Sequence, residues 1–195
     1  MKERIKQIQR KVGVAADGIV GPLTVEALCS ALQIPPAAPV WPTQAQVRAG
    51  RSCFGKPGNE AALTSIVPPY PLYFEGRQVQ TIRVHKLIAP HVQQALRDVL
   101  AHYGQEAIHR LGLDIYGGSY SYRAVSSGKS LSMHAWGIAL DFSPDANAYS
   151  MKAPRATLSC AECRPWWEIW EQQGAVSLGR ECNYDWMHLQ FARLK

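Results

Sequence analysis

The stretch Ser132-Met133-His134-Ala135-Trp136-Gly137-Ile138-Ala139-Leu140-Asp141-Phe142 decides how this chain is read. Trp136 to Phe142 has the character of a strand. Side chains alternate across a strand, so Ile138, Leu140 and Phe142 share one face, toward a core. The other face shows Gly137, Ala139 and Asp141. A carboxylate beside two minimal side chains leaves space for something to approach. His134 stands one turn earlier, within reach of the same space. A His and an Asp converging on a small-residue surface suit a metal.

A second stretch, Asp185-Trp186-Met187-His188-Leu189-Gln190-Phe191, has the same logic. Met187, Leu189 and Phe191 alternate as a buried face, and His188 and Gln190 share the other. A turn just before the strand would bring Asp185 to the side of His188, since residues three apart align on a helical turn. Two His and one carboxylate leave a fourth tetrahedral position open, the arrangement of a catalytic zinc. Zinc brings the pKa of bound water to about 7. A nearby carboxylate, here Asp185, can take the proton of water and pass it to a leaving amine. The oxyanion formed on attack needs a fixed positive partner. Arg123, after the Gly117-Gly118 turn, is the best-placed candidate. Each residue also has an ordinary reading: a satisfied core His, a turn-forming Asp at a strand end, an Arg that is a surface charge.

Outward from these motifs, 195 residues allow one domain, or one main domain with a small satellite. Hydrophobic residues make up 47% and charged residues 18%, which excludes a disordered chain. No run approaches the ~18 apolar residues of a membrane span. The N-terminus MKERIKQIQRK lacks the apolar core of a signal peptide. A net charge of +6 favours polyanionic partners, but no zinc-finger spacing, RNP-like strand or phosphate loop supports nucleic acid. The 5 cysteines are too few and odd in number for a disulfide scaffold. Cys160-Ala-Glu-Cys163 has knuckle spacing without a second pair, so a disulfide involving Cys182 or inert thiols are the simpler expectations.

Ile5, Ile8 and Val12 recur at helical spacing over residues 2–12. Asp17-Gly18 signals a turn, and Pro22 opens a second helix with Leu23, Ala27, Leu28 and Leu32 as its stripe. Residues 35–46 are proline-rich and read as a semi-rigid linker. Beyond it come a strand from Val79 to Val84 and a helix from Pro90 with Val92, Leu96, Val99, Leu100 and Tyr103 on one face, ended by Gly104. A short strand from Leu113 to Tyr116 follows, then the two motif strands. Between them, Pro165 opens a helix bearing Trp166, Trp167, Ile169 and Trp170, which read as core. Mixed short strands and helices without βαβ regularity predict an α+β domain.

Two resemblances follow from these residues. Ile8-Gln9, Val12-Gly13 and Asp17-Gly18-Ile19-Val20-Gly21-Pro22-Leu23-Thr24 resemble the small helical peptidoglycan-binding domain, over about half its usual length. That resemblance implies wall binding through Asp17, Gly18, Gly21, Pro22 and Thr24. The alternative is a helical decoration without affinity. Ser-x-His-x-x-Gly-x-Ala-x-Asp at 132–141 and Asp-x-x-His at 185–188 resemble the M15 zinc peptidases. These include D-alanyl-D-alanine carboxypeptidases, D-Ala-D-Ala dipeptidases and the L-alanyl-D-glutamate endopeptidases of phage lysins.

The second resemblance implies a Hedgehog/DD-peptidase-like fold and one catalytic Zn2+ on His134, Asp141 and His188. It implies Asp185 as general base, Arg123 polarising the scissile carbonyl, and Ser132 shaping the substrate site. An Asp base, where the carboxypeptidase branch usually has Glu, is closer to the endopeptidase branch. The expected organisation is a wall-binding unit at 1–34, a linker and loop at 35–64, and a peptidase domain at 65–195. The expected function is cleavage of the peptidoglycan stem, at L-Ala–D-Glu, by a monomeric endolysin made in the host cytoplasm and acting at the wall after release. Alternatives are D-Ala-D-Ala carboxypeptidase action or a non-catalytic wall-binding protein.

Overall fold

A computed structural model describes residues 1–34, 38–125, 128 and 130–195. The chain divides into two compact units, Met1–Ala37 and Ala38–Lys195. No helix among the described residues is long and apolar enough to cross a membrane.

The first unit holds α1 (Lys2–Lys11) and α2 (Pro22–Ala31), the latter opened by Pro22 as expected. Its centre is polar. Gln9 is 1% exposed and its amide donates to Asp17 Oδ1 (2.7 Å), Ile19 O (2.9 Å) and Thr24 Oγ1 (3.1 Å). The Gln9 Oε1 accepts from the Gly18 N–H at 2.8 Å. Of the anticipated apolar stripe on α2, Ala27 and Leu28 are half-buried, but Leu23 and Leu32 are 73% and 66% exposed, and Thr24 is the buried position. A unit this short has too little apolar surface to enclose, so satisfied hydrogen bonds organise it.

The second unit begins at Ala38, well before the boundary expected at 65. Much of the stretch expected as linker and loop is therefore part of this unit. It contains α3 (Gln44–Arg48), whose Thr43 cap is completed reciprocally by Gln46, and it supplies Val47 and Phe54 to the core. Strands β1 (Leu63–Ile66) and β4 (Ile82–His85) pair antiparallel, as do β2 (Leu72–Phe74) and β3 (Arg77–Val79). The single strand expected from Val79 to Val84 is thus two, parted at Gln80 and Thr81. The long helix α4 (Ala89–Arg110) carries Val92, Ala95, Leu96 and Val99 into the core. Gly104 breaks it at φ 68°, as expected, but helical backbone resumes after the kink.

The remaining strands form one antiparallel sheet in the order β5-β6-β8-β7: β5 (Tyr116–Gly118), β6 (Ala139–Phe142), β8 (His188–Gln190) and β7 (Val176–Ser177). Strand β5 starts later than the expected 113–116. Helix α5 (Arg164–Gln172) lays Trp166 and Trp170 against Phe142, with ring centroids 5.3 and 5.8 Å apart, and Trp167 packs on Trp166 and Trp186. Each fully buried aromatic of this kind contributes roughly 2–3 kcal/mol. Antiparallel sheets with helices set apart from them make the architecture α+β in composition. Helix α6 (Leu178–Cys182) leads toward β8. All five cysteines are free, Cys182 is exposed, and the Cys160 and Cys163 thiols lie 3.3 Å apart.

Candidate metal centre and its cleft

The register of β6 against β8 builds the site. Leu140 faces Leu189 and Asp141 faces His188 across the ladder. A slip of one residue would turn Leu140 and Leu189 out of the core, so apolar burial fixes the polar pair. His134 arrives from a 3-10 turn, Met133–Trp136, capped by Ser132. The turn ends at Gly137 in the left-handed region (φ 67°), where an added Cβ would lie 2.6 Å from Leu63 Cδ2. Only glycine fits there, and its carbonyl accepts from the His85 N–H at 2.8 Å. The strand expected from Trp136 therefore begins at Ala139, with a turn before it.

Among the described residues, His134, Asp141 and His188 offer ligand atoms that all lie within 4.8 Å of one another, and all three are buried. His134 Nε2 is 3.2 Å from Asp141 Oδ2 and 3.2 Å from His188 Nδ1. His188 Nδ1 is 2.9 Å from Asp141 Oδ1. The outward nitrogens are also engaged. His134 Nδ1 faces the Ser119 carbonyl at 2.5 Å and must donate to it. His188 Nε2 lies 3.3 Å from Gln190 Oε1, and the Gln190 amide nitrogen donates to Ala192 O, which fixes the amide orientation. Each imidazole thus directs its other nitrogen inward, where a neutral ring has a lone pair. Two lone pairs and a carboxylate so close repel one another unless a cation, either a proton or a metal, stands among them.

The electrostatics agree. Burial alone would raise the Asp141 pKa, but hydrogen bonds and charge from His134 and His188 outweigh it and hold it well below the carboxylate range. Burial alone would lower His188, but the hydrogen bond and charge of Asp141 win and raise it. Two imidazoles with one carboxylate fit zinc better than magnesium or calcium, which prefer all-oxygen sites.

These three residues line a cleft of about 200 Å³ together with Ser132, Arg123 and Asp185. Asp185 sits in a turn at φ 53°, with the His188 N–H donating to its carbonyl at 3.0 Å. That turn brings Asp185 and His188 to one cleft, and it leaves Met187 half-buried at the cleft wall rather than in the core. Asp185 Oδ1 is buried and, among the described residues, has no hydrogen-bond partner. Burial pushes its pKa up to about 6; Asp141 adds to the rise, while His188, His134 and Arg123 oppose it. Arg123 Nη2 is 3.9 Å from Asp141 Oδ2, a loose contact from a half-exposed side chain. Ser132 donates its N–H to Arg123 O at 3.1 Å, tying the two segments together.

Gly117 lets β5 approach: a Cβ there would stand 2.9 Å from Asp141 Cβ. The sequence reading missed Ser119, whose contribution is a backbone carbonyl and carries no residue-type signal. It also missed Gln44 and Arg48, which line the cleft from the stretch taken as linker. Trp41 packs on Phe54 and Phe191, and buried Trp136 donates to Gly55 O at 3.0 Å, so neither lines the cleft. Asp17, Gly18 and Thr24 gather around Gln9 in the first unit. Gly21 precedes α2 and Pro22 begins it. Comparison with protein-family models, curated proteins and solved structures finds no match.

Proposed function

We propose that this chain is a zinc-dependent peptidoglycan hydrolase of the DD-peptidase-like fold, cutting the stem peptide at the L-Ala–D-Glu bond. The observation that carries the reading is the convergence in one cleft of three buried ligand residues with an Asp185 oxygen that has no partner among the described residues. His134, Asp141 and His188 would hold the ion. Zinc bound there would polarise the scissile carbonyl and make water easier to deprotonate.

The chain's own groups do the rest. Asp185 Oδ1 accepts a proton from the attacking water and returns it to the departing amine. Burial raises the Asp185 pKa in the metal-free site, and a bound cation would favour its charged, proton-accepting form. Arg123 donates to the carbonyl oxygen as negative charge gathers on it. Ser132 holds the Arg123 backbone in place and shapes the cleft. The first unit, with its Asp17-to-Thr24 segment, is proposed to hold the enzyme on its polymer and so raise its effective concentration.

The test is mass spectrometry of purified peptidoglycan digested by the zinc-loaded protein, with a chelated control. New N-terminal D-Glu, absent with chelator, is the expected result. Release of terminal D-Ala would replace the endopeptidase with a carboxypeptidase. Zinc binding and wall sedimentation without any metal-dependent product would leave a wall-binding protein.

A further inference from the structure

Among the described residues two arginines line the cleft, and the chemistry above uses one of them, Arg123. The other is Arg48, on α3. Its Nε donates to Leu131 O at 3.1 Å, beside Ser132. Among the described residues its guanidinium has no ion-pair partner, so its terminal nitrogens remain available to a ligand. Gln44 stands one helical turn away on the same face and lines the same cleft.

The helix beneath them is firmly held. Thr43 and Gln46 cap it reciprocally, at 2.8 and 3.2 Å. Val47 is fully buried. The Gln44 N–H donates to Arg193 O at 2.8 Å, and the Arg193 N–H donates to Pro42 O at 3.0 Å. Arg193 lies three residues beyond the end of β8, the strand that carries His188. These contacts tie the backbone of α3 to the segment that follows His188, and the exposed Arg48 side chain is tied to the Leu131 carbonyl. Partial burial disfavours its charge, which an anion in the cleft would relieve.

We propose that Arg48, assisted by the Gln44 amide, is a specificity-determining subsite for a carboxylate next to the scissile bond. This rests on the peptidase reading, which identifies the carboxylate. In the stem, D-Glu is linked onward through its γ-carboxyl, and its α-carboxylate stays free beside the bond to L-Ala. A planar guanidinium whose edge between the two terminal nitrogens is free matches a carboxylate bidentately, and a side-chain amide adds a further donor. Stems whose α-carboxyl is amidated lose the charge and are poorer substrates.

The experiment uses the zinc-loaded chain and two synthetic stem peptides, one with a free D-Glu α-carboxyl and one with the α-amide. Cleavage gives kcat and KM. Calorimetry with the corresponding non-cleavable product peptides gives affinity without turnover. The wild-type chain is expected to prefer the free acid by about tenfold, chiefly in KM and Kd. Arg48→Gln should bring that ratio close to one, and Arg48→Lys should restore part of it. An unchanged preference in Arg48→Gln, or no preference in a wild-type chain that does cleave, would overturn the subsite and leave the peptidase standing. Failure of the wild-type chain to cleave either peptide would overturn both.

Discussion

Replacing Asp185 by Asn separates the chemistry of the site from its stability. The Asp185 pKa rises from an ordinary 3.8 to about 6, first because the carboxyl is buried. Because the folded value is the higher one, the group's stabilising contribution is complete below about pH 4. It is lost as pH rises through about 6. At 1.36 kcal/mol per pKa unit the gap corresponds to about 3 kcal/mol, and solvent screening at the cleft reduces this to about 1–2 kcal/mol.

Metal-free Asp185→Asn should therefore exceed wild type in stability by about 1–2 kcal/mol at pH 7.5 and by much less at pH 4.5. Asn also tolerates the left-handed backbone at φ 53° better than Asp, a small gain that does not vary with pH. The difference between the two pH values is the diagnostic quantity. Urea unfolding of chelator-treated protein measures it. Zinc should shrink the advantage, since a cation nearby favours the charged carboxylate. The same variant should keep stoichiometric zinc and lose activity by a factor of about 10²–10⁴. A variant no more stable at pH 7.5 than at 4.5, relative to wild type, would refute the burial argument. Retained activity would refute the base.

Asp141→Asn should abolish zinc binding, read by metal analysis, and cost about 3–5 kcal/mol because the facing imidazoles lose their buried partner. The stabilisation that Asp141 provides is present above about pH 4 and is lost as pH falls through its depressed folded value, so the variant should flatten the acid limb of the stability curve. Gly117→Ala should lower zinc affinity and destabilise by about 1–3 kcal/mol, because its Cβ would press on Asp141 at 2.9 Å; unchanged zinc titration would show that β5 can yield. Gln9→Ala should melt the first unit, seen as lost amide protection over residues 2–31, while the second unit keeps its own protection and its zinc.

Local chemistry made several features legible in the sequence. Pro22 and Pro165 marked helix starts because proline suits the first helical turn. Gly104 marked a break, and the Trp166 to Trp170 cluster read as core because nothing else could hide so much aromatic surface. The alternation around Asp141 and His188 showed which face each would take, since a period of two leaves only two choices.

What the sequence alone determined was the set of chemically competent residues and the face of its strand that each would occupy. Tertiary structure decided which of them meet. The pairing of Asp141 with His188 depends on β6 and β8, parted by 45 residues of chain, finding one register. The tautomers of both imidazoles depend on a Ser119 carbonyl and a Gln190 amide, one of which has no side-chain signature. Arg48 entered the cleft because Val47 seeks the core and carries its neighbour along, a consequence of packing over distance that a linker-like composition hid. In the first unit the stripe on α2 misled for the converse reason: with too little apolar area to enclose, Gln9 and its hydrogen bonds took the centre and left Leu23 in water.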